Sequence, residues 1–233
     1  RAYSLSAIYV LGGSDMHKRL QDKVAVVTGS TSGIGRATAE LFAQEGARVV
    51  VSGRRAELGQ QVVDGIRSAG GQASFFQADV GQSAQVRALV DFAVSTYGRL
   101  DILVNNAFSW PEGVHNGSVV DIDEADWDYV FDVSLKAVFL ACKYAIPIMI
   151  KNGGGAIVST SSVHGVLAAR NSAPYEAAKA GLINLTRQIA VDFGHQGVRC
   201  NVICPGAVIV ERSAEAFHRH PDRQRRGSTI YPM

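Results

Sequence analysis

Three side chains in the second half of the sequence have the types and the spacing that acid–base chemistry needs. Tyr175 and Lys179 are four residues apart in Tyr-Glu-Ala-Ala-Lys, and Ser162 lies thirteen residues upstream at the end of an apolar run. Residues i and i+4 share one face of a helix, so the lysine ammonium can lie beside the phenol. A neighbouring cation favours the phenolate, and lowering a tyrosine pKa from near 10 by about three units corresponds to roughly 4 kcal/mol. The pattern indicates a tyrosine that can exchange a proton with a substrate.

A glycine-rich segment near the N-terminus follows a run that is typical of a buried parallel strand. Residues 24–27 are apolar and mostly β-branched, and they lead into Thr-Gly-Ser-Thr-Ser-Gly-Ile-Gly and then into a helical pattern. Glycines at such a turn let the backbone approach a pyrophosphate, and the helix N-terminus supplies N–H groups and a positive dipole end. We therefore predict a dinucleotide-binding turn that consists of Gly29, Ser32, Gly33, Ile34 and Gly35. A glycine-rich connection without a ligand is the alternative for this segment taken alone.

Both motifs belong to an ordered series that resembles the short-chain dehydrogenases/reductases of the shorter, single-domain subfamily. The series extends from about residue 23 to 205 and comprises Thr-Gly-x-x-x-Gly-x-Gly, Asn105-Asn106-Ala107, Ser162, Tyr175-x-x-x-Lys179 and Pro205-Gly206. The resemblance implies an oxidoreductase that transfers a hydride between a nicotinamide cofactor and a carbonyl/alcohol substrate. It implies that Tyr175 is the general acid/base, that Lys179 lowers its pKa and binds the nicotinamide ribose, and that Ser162 binds the substrate oxygen.

The resemblance extends to further positions and also shows departures from the family pattern. The remaining cofactor-binding positions that it implies are Asp79, Val80, Asn106, Ala107, Pro205, Gly206 and Val208. Phe108 stands where glycine is common, and Val210 stands where a threonine often bonds the nicotinamide carboxamide. Ser134 replaces an asparagine that is thought to hold a water linked to the lysine. We keep Ser134 as a candidate catalytic residue, with a hydroxyl that bonds back to its own helix as the alternative.

The end of the second predicted strand bears on the choice of cofactor. An acidic residue there would accept hydrogen bonds from a ribose 2′-hydroxyl and repel a 2′-phosphate. Gly53 occupies this place and Arg54 follows it. A guanidinium suits a phosphate because it can donate two parallel hydrogen bonds. We therefore predict that NADP(H) is favoured over NAD(H), with a solvated loop arginine and loose acceptance of NAD as the alternative.

Apolar runs alternate with helical patterns along most of the chain. The predicted strands cover 24–28, 47–52, 73–77, 101–105, 155–161 and 198–204, and the predicted helices cover 34–45, 55–69, 83–97, 124–150 and 173–194. This alternation predicts an α/β fold, a Rossmann-like doubly wound parallel sheet in three layers and a single domain. Gly29, Asn106, Ser162 and Pro205 all follow strand ends. We therefore expect them to meet in one crevice at the carboxyl ends of the strands.

Composition and charge argue against several other classes of protein. The chain has 233 residues, is 47% hydrophobic and carries a net charge of +2, which allows one sizeable core and gives no nucleic-acid footprint. No apolar run approaches the roughly 18 residues that a membrane span requires. The spacing of Cys142, Cys200 and Cys204 fits neither a zinc site nor a disulfide framework, and no metal site is predicted. Free thiols favour a reducing compartment, so we expect a cytoplasmic protein.

The two ends of the chain and its assembly give three further expectations. Residues 1–15 fit nothing that follows, so we expect them to be extraneous or disordered and the domain to occupy 16–233. The resemblance implies that this domain is C-terminally incomplete. It also implies a homodimer or homotetramer in which the helices near 124–150 and 173–194 pair across a two-fold axis. The apolar residues expected at that interface are Phe131, Val138, Phe139, Ile146, Leu182 and Leu185.

Two other functions remain open at this stage. A non-catalytic nucleotide-binding or sensor protein of the same fold is suggested by Ser134 and Val210, whereas intact Ser162, Tyr175 and Lys179 argue against it. A sugar epimerase or dehydratase of the longer subfamily is disfavoured by the chain length and the glycine spacing. His115 and His164 flank the expected crevice, but lone histidines are more often polar loop residues than substrate contacts.

Overall fold

Six parallel strands form one sheet in the order β3-β2-β1-β4-β5-β6 in the computed structural model, which describes residues 18–108 and 116–210. The strands are β1 Val24–Thr28, β2 Arg48–Gly53, β3 Gln72–Gln77, β4 Ile102–Asn105, β5 Gly155–Thr160 and β6 Val198–Ile203. The main helices are α1 Gly33–Gln44, α2 Ala56–Ser68, α3 Ser83–Tyr97, α4 Glu124–Phe131, α5 Ala137–Lys151 and α6 Ala173–Phe193. The predicted doubly wound parallel fold is confirmed. The predictions for residues 1–15 and His115 lie outside the described residues.

The alternating faces of β1 show how the three layers are built. Every residue of this strand is buried, because helices cover both faces of the sheet. Val26 belongs to a core that contains residues of α3, α5 and α6. Its neighbours Ala25 and Val27 belong to a second core, which contains residues of α1 and α2. Successive side chains of a strand point to opposite faces, so one apolar run serves both cores.

The strand order places the predicted crevice next to β1. This strand pairs with β2 on one side and with β4 on the other, so the chain winds outwards in both directions from it. In open α/β sheets, ligands bind outside the carboxyl ends of the strands at such a switch point. The loops that follow β1, β2, β4 and β5 therefore carry the residues that matter for function.

The helix predicted over 124–150 is interrupted by a wider turn. Residues Asp132–Lys136 form a π-helical segment between α4 and α5, and the N–H of Ala137 donates to the carbonyl of Asp132 five residues back. Turns of this kind accommodate one extra residue and are frequent at functional sites. Ser134 lies inside this turn and is 1% exposed. Hydrophobic periodicity could not reveal the interruption, since both halves keep an apolar face.

One helical stretch of the described chain is long and apolar enough to cross a membrane by length and composition alone. It is the 28-residue stretch Glu124–Lys151, whose most apolar window has a mean hydropathy of 1.7. The expectation that no such run exists was therefore too strict. In the fold, 56% of that window is buried, and α5 supplies Ala141, Ala145 and Met149 to the core. Its apolar composition is thus explained by packing against the sheet and α3.

The predicted interface residues do not all face outwards. Val138, Ile146 and Leu182 are at most 7% exposed and belong to the core, so they were wrongly assigned to an outer surface. Phe139 is 47% exposed on α5 and Val191 is 78% exposed on α6. The error arose because α5 and α6 carry apolar residues around more than one stripe, and sequence alone does not say which stripe meets the sheet.

Candidate active site

The glycines after β1 are required by close packing against the loop after β4. Gly29 has φ +65°, and a Cβ there would lie 2.7 Å from the Cα of Ala107. A Cβ on Gly35 would lie 2.4 Å from the carbonyl oxygen of Gly29 and 2.5 Å from Nδ2 of Asn106. Gly33 also has a positive φ, of +56°. Because these distances are shorter than a Cβ atom tolerates, the turn requires glycine at Gly29 and Gly35. Without side chains at these two positions, a ligand can approach the backbone of the turn.

Hydrogen bonds between side chains and backbone groups hold the two loops together. The N–H groups of Asn106 and Ala107 donate to Thr28 Oγ1 at 3.0 and 3.1 Å. In return, Nδ2 of Asn106 donates to the carbonyls of Thr28 and Gly29 at 3.1 and 3.3 Å. Asn106 therefore shapes the turn through its amide. Thr28 is an equal partner in this arrangement, which the sequence pattern alone did not show.

The N-terminus of α1 has the properties of an anion site. Its N-cap Ser32 makes no side-chain bond to the first-turn amides, and the first turn contains no acidic residue. The positive end of the helix dipole is therefore not neutralised by a nearby carboxylate. Together with the bare glycine turn, this geometry fits the pyrophosphate of a nicotinamide dinucleotide. Gly29, Ser32, Gly33, Ile34 and Gly35 are the residues that would hold it.

At the end of β2, the residue after the predicted arginine reaches the glycine turn. Nη2 of Arg55 donates to Thr31 Oγ1 at 2.9 Å and to Ser32 Oγ at 2.6 Å. The backbone carbonyl of Arg54 accepts from the side chain of Gln77 at 2.9 Å. A Cβ on Gly53 would lie 2.7 Å from Cγ2 of Thr31, so an acidic residue at this place would force Thr31 to move. The guanidinium of Arg55 thus joins the candidate site.

Asp79 and Val80 follow β3 and sit at the edge of the same crevice. The carboxylate of Asp79 accepts from the N–H of Gly81 at 3.0 Å, and its own N–H donates to the side chain of Gln85 at 2.8 Å. Val80 packs against the core. It also lines a small cavity together with Thr28, Asn105 and Ala107. These positions are consistent with the adenine-side contacts that the resemblance implies.

Lys179 is buried next to Tyr175. It is 3% exposed, and its Nζ donates to the carbonyl of Thr160 at 2.7 Å. Burial lowers the pKa of Lys179 to about 8, and the nearby Cys204 acts in the opposite direction. The ammonium lies 5.8 Å from the ring centroid of Tyr175 and 5.4 Å from that of Phe108. Such distances allow a cation–π contribution with both rings. A cation is therefore held within reach of the phenol at neutral pH.

Ser162 caps the turn that follows β5. It is 6% exposed, and its Oγ accepts from the N–H of His164 at 3.1 Å. A hydroxyl that accepts from a backbone N–H keeps its own proton for donation to another oxygen. The turn is tied to the end of β6, because the N–H of Val163 donates to the carbonyl of Pro205 at 3.0 Å. The structure thus places Ser162 and Pro205 side by side, as predicted from the strand ends.

Aromatic side chains surround the phenol of Tyr175. The ring of Phe108 lies 5.0 Å from it between centroids, at an angle of 61°. The imidazole of His164 lies 6.4 Å away, and its Nδ1 is 2.9 Å from Oε1 of Glu176. Phe108 and His164 are thus neighbours of Tyr175. Glu176 was not singled out from the sequence, although its place directly after Tyr175 was visible there.

The remaining candidates lie after β6 and in the π-helical turn. Gly206 and Val208 follow β6 as part of an exposed segment, and Val208 is 47% exposed. Ser134 lies in the π-helical turn that packs against α6, and its buried Oγ has no hydrogen-bond partner within the part of the chain that the structure describes. Across residues 18–108 and 116–210, no cluster of three or more His, Cys, Asp or Glu could hold a metal ion.

The buried cysteines take no part in this site. Cys142 and Cys200 belong to the core, and burial raises their pKa values to about 12 and about 11. Both thiols therefore stay protonated and unreactive at neutral pH. Their role is in packing, as their positions in apolar runs suggested.

Comparison with known proteins places this geometry in a family. The profile of the short chain dehydrogenase family matches residues 23–220. A cyclohexanol dehydrogenase from Acinetobacter sp. is 40% identical over 211 residues, which cover 88% of this chain and 83% of that protein. A crystal structure of a short-chain dehydrogenase/reductase from Burkholderia xenovorans superposes with a TM-score of 0.85 at 36% identity and covers 92% of this chain and 84% of that one.

A second solved structure contains both a cofactor and a ligand. It is a 7 alpha-hydroxysteroid dehydrogenase complexed with NADH and 7-oxo glycochenodeoxycholic acid, with a TM-score of 0.79 at 36% identity, covering 84% of this chain and 75% of that one. The profile match extends over most of this chain, and the sequence motifs lie together at the strand ends as described above. This chain belongs to the short-chain dehydrogenase family, and it is an oxidoreductase that acts on CH–OH groups.

Proposed function

We propose that this protein interconverts a secondary alcohol on a hydrocarbon ring and the corresponding ketone, with NADP(H) as the cofactor. The observation that carries the proposal is the buried Lys179 ammonium, 5.8 Å from the ring of Tyr175. A cation in a site from which water is largely excluded acts strongly on a nearby phenol, because the effective dielectric constant is low. Tyr175 is then able to accept or donate a proton near neutral pH.

Each catalytic side chain has a separate task in this scheme. When bound, the nicotinamide supplies or accepts the hydride at the substrate carbon. Tyr175 gives its phenolic proton to the ketone oxygen in reduction and takes the hydroxyl proton in oxidation. Ser162 donates a hydrogen bond to the same oxygen, since its Oγ already accepts from the N–H of His164. Lys179 stabilises the phenolate that remains after the proton has left.

Preference for NADP(H) is supported by the groups at the end of β2. Gly53 leaves this place without a negative charge, and two guanidinium groups follow it at Arg54 and Arg55. The Arg55 side chain lies against the hydroxyls of Thr31 and Ser32, beside the turn proposed to hold the pyrophosphate. A 2′-phosphate at that position would receive charge-assisted hydrogen bonds. The related structure contains NADH, so NAD(H) is the competing cofactor.

A ring-shaped substrate is supported by the surroundings of the phenol. The rings of Phe108 and His164 lie near Tyr175, which gives a saturated hydrocarbon ring aromatic surfaces to pack against. Two of the relatives named above, by their names, act on cyclohexanol or on a hydroxysteroid. Both substrates carry the reacting oxygen on a saturated ring.

We also propose that the protein works in the cytoplasm as a homodimer or homotetramer, with the exposed faces of α5 and α6 at the interface.

The test is turnover of Tyr175→Phe with cyclohexanol and cyclohexanone as substrates and with both nucleotides, followed by nicotinamide absorbance. Loss of the phenolic proton should lower kcat by about 10²–10⁴-fold, while the Kd of the nucleotide stays nearly unchanged. Tyr97→Phe is the matched control. The hydroxyl of Tyr97 lies 2.9 Å from Ser74 Oγ, and this pair lies outside the crevice. This control should keep native turnover. More than a few per cent of native activity in Tyr175→Phe would refute the role of Tyr175.

A further inference from the structure

Ser162 and Tyr175 stand at the two ends of a connection that runs largely over the surface. After Ser162 the chain makes a short helical turn over Val163–Gly165 and then passes through exposed residues 166–171 before α6 begins. Both hydroxyls must reach one substrate oxygen in the proposed reaction. An error of about 1 Å in such placement can lower a rate by about a hundredfold. The connection therefore needs contacts that hold Ser162 and Tyr175 at a constant distance from each other.

Glu176 makes contacts of this kind. Its Oε1 accepts from the N–H of Ala169 at 2.6 Å, in the middle of the connection. The same oxygen lies 2.9 Å from Nδ1 of His164. An ionised carboxylate only accepts hydrogen bonds, so this Nδ1 carries a proton. Glu176 lies in the first turn of α6, where a negative charge is favoured by the helix dipole.

The contacts of His164 link Ser162 to the residue that follows Tyr175. Its backbone N–H donates to Ser162 Oγ at 3.1 Å, and its imidazole is paired with Glu176, the residue that follows Tyr175. The side chains of His164 and Glu176 are 28% and 16% exposed, so the pair is largely shielded from water. Shielding makes such a pair stronger than one on an open surface.

We propose that His164 and Glu176 form a positioning clamp that fixes the distance between Ser162 and Tyr175. The clamp acts through these two residues and takes no proton from the substrate. It rests on the proposed function, since it concerns the placement of the hydroxyls that this function uses. Its physical basis is Oε1 of Glu176, which accepts hydrogen bonds from two groups of the connection, His164 Nδ1 and the N–H of Ala169. These bonds hold the connection against α6, the helix that carries Tyr175.

The test compares Glu176→Ala, His164→Ala and the double variant with two conservative changes. Glu176→Gln keeps an oxygen that can accept both bonds, and His164→Asn keeps a donor close to the position of Nδ1. The two alanine variants should lower kcat by about tenfold to a hundredfold, with the Kd of the nucleotide nearly unchanged and the Tm lowered by only about 2–4 °C. The solvent isotope effect on kcat should increase, because proton transfer from a displaced phenol becomes slower. Glu176→Gln should keep kcat within about threefold of native, and His164→Asn should have a higher kcat than His164→Ala. The double alanine variant should be no slower than either single alanine variant.

Several results would overturn the clamp. They are a kcat within twofold of native in Glu176→Ala, an equal loss in Glu176→Gln, or losses that multiply in the double variant. A nucleotide Kd that weakens as much as kcat falls would show general distortion of the crevice and would also overturn it. Asp91→Ala is the control, since it removes a carboxylate that is 65% exposed and paired only loosely with Arg87 at 3.7 Å.

Failure of the clamp can be told apart from failure of the proposed function. If the native protein converts no cyclic alcohol or ketone with either nucleotide, the proposed function is refuted. Amide hydrogen exchange then tests the clamp without any turnover. The N–H of Ala169, which donates to Glu176, should exchange faster in Glu176→Ala and keep its protection in Glu176→Gln. Equal protection of this amide in the native protein and in Glu176→Ala would overturn the clamp.

Discussion

Replacing Lys179 by methionine should change how the stability of the protein depends on pH. The lysine is 3% exposed, and burial lowers its pKa from 10.5 to about 8. One pKa unit corresponds to about 1.4 kcal/mol, so the charged lysine costs the folded protein about 3 kcal/mol relative to the unfolded chain. Methionine has a similar length and no charge, so the variant lacks this cost at every pH.

The direction of the effect follows from where each state binds its proton. Below about pH 8 the lysine is protonated in both states, and the full cost is present. Between about pH 8 and pH 10.5 the unfolded chain keeps a proton that the folded protein has released, so native stability rises with pH. Above pH 10.5 the lysine is neutral in both states and the cost is gone.

A second effect of the substitution makes the absolute stability at one pH a poor test. The carbonyl of Thr160 accepts from Nζ at 2.7 Å, and methionine leaves it without this donor. An unpaired buried acceptor costs about 1–3 kcal/mol, which is similar to the charge term and opposite in sign. Only the charge term varies with pH. The difference in unfolding free energy between the native protein and the variant should therefore shift by about 3 kcal/mol in favour of the native protein between pH 7 and 10.5.

Urea unfolding of the cofactor-free protein, followed by circular dichroism in reducing buffer, measures this difference. Subtraction of the variant cancels the contributions of groups distant from Lys179, and Tyr175→Phe and Cys204→Ser in both proteins remove the two ionisable neighbours of the lysine. Lys151→Met is the control, since Lys151 is exposed at the end of α5 and its variant should give a flat difference. A native-minus-variant difference for Lys179→Met that stays constant within about 0.5 kcal/mol would refute the argument that burial lowers this pKa.

Three other predictions concern the cofactor, the π-helical turn and the assembly. Replacing Arg54 and Arg55 by alanine, singly and together, should lower the NADP(H)-to-NAD(H) affinity ratio about tenfold to a hundredfold, since a charge-assisted bond contributes about 1.5–3 kcal/mol. Titration calorimetry with both nucleotides measures the ratio, and Arg87→Ala is the exposed control. An unchanged ratio would show that neither arginine contacts a 2′-phosphate. Ser134→Ala should keep or raise Tm because its buried hydroxyl has no partner within the described residues. Ser134→Asn should raise kcat where proton transfer limits the rate, and a lower rate would exclude a relay through this helix. The protein should sediment as a dimer or tetramer at micromolar concentration and Phe139→Asp should weaken this assembly, whereas a native monomer would contradict the proposed interface.

The strands and helices could be predicted because their patterns are local. The apolar, β-branched run that became β1 is buried on both faces, and such a run has few other stable arrangements. The glycines at 29, 33 and 35 could be placed for a similar reason, since a turn from strand to helix needs them within a few residues. The four-residue spacing of Tyr175 and Lys179 likewise fixes their common helix face. These parts of the fold and of the candidate site follow from the sequence.

Only the tertiary structure decided which of two neighbouring side chains meets a distant group. Arg55 reaches Thr31 and Ser32 across more than twenty residues, and neither the propensity nor the charge of the sequence distinguishes it from Arg54. The pairing of Glu176 with His164 and Ala169 also depends on the path of an irregular connection, which has no period to read.

The outer faces of the helices were undecided for the same reason. An apolar side chain on α5 lowers the free energy equally by packing on the sheet or on another subunit, so periodicity did not separate Val138, in the core, from Phe139, which is exposed. Local patterns determine which elements form and which residues share a face. The contacts that those faces make depend on how the whole chain packs, because burial is a property of the assembled core and not of any single segment.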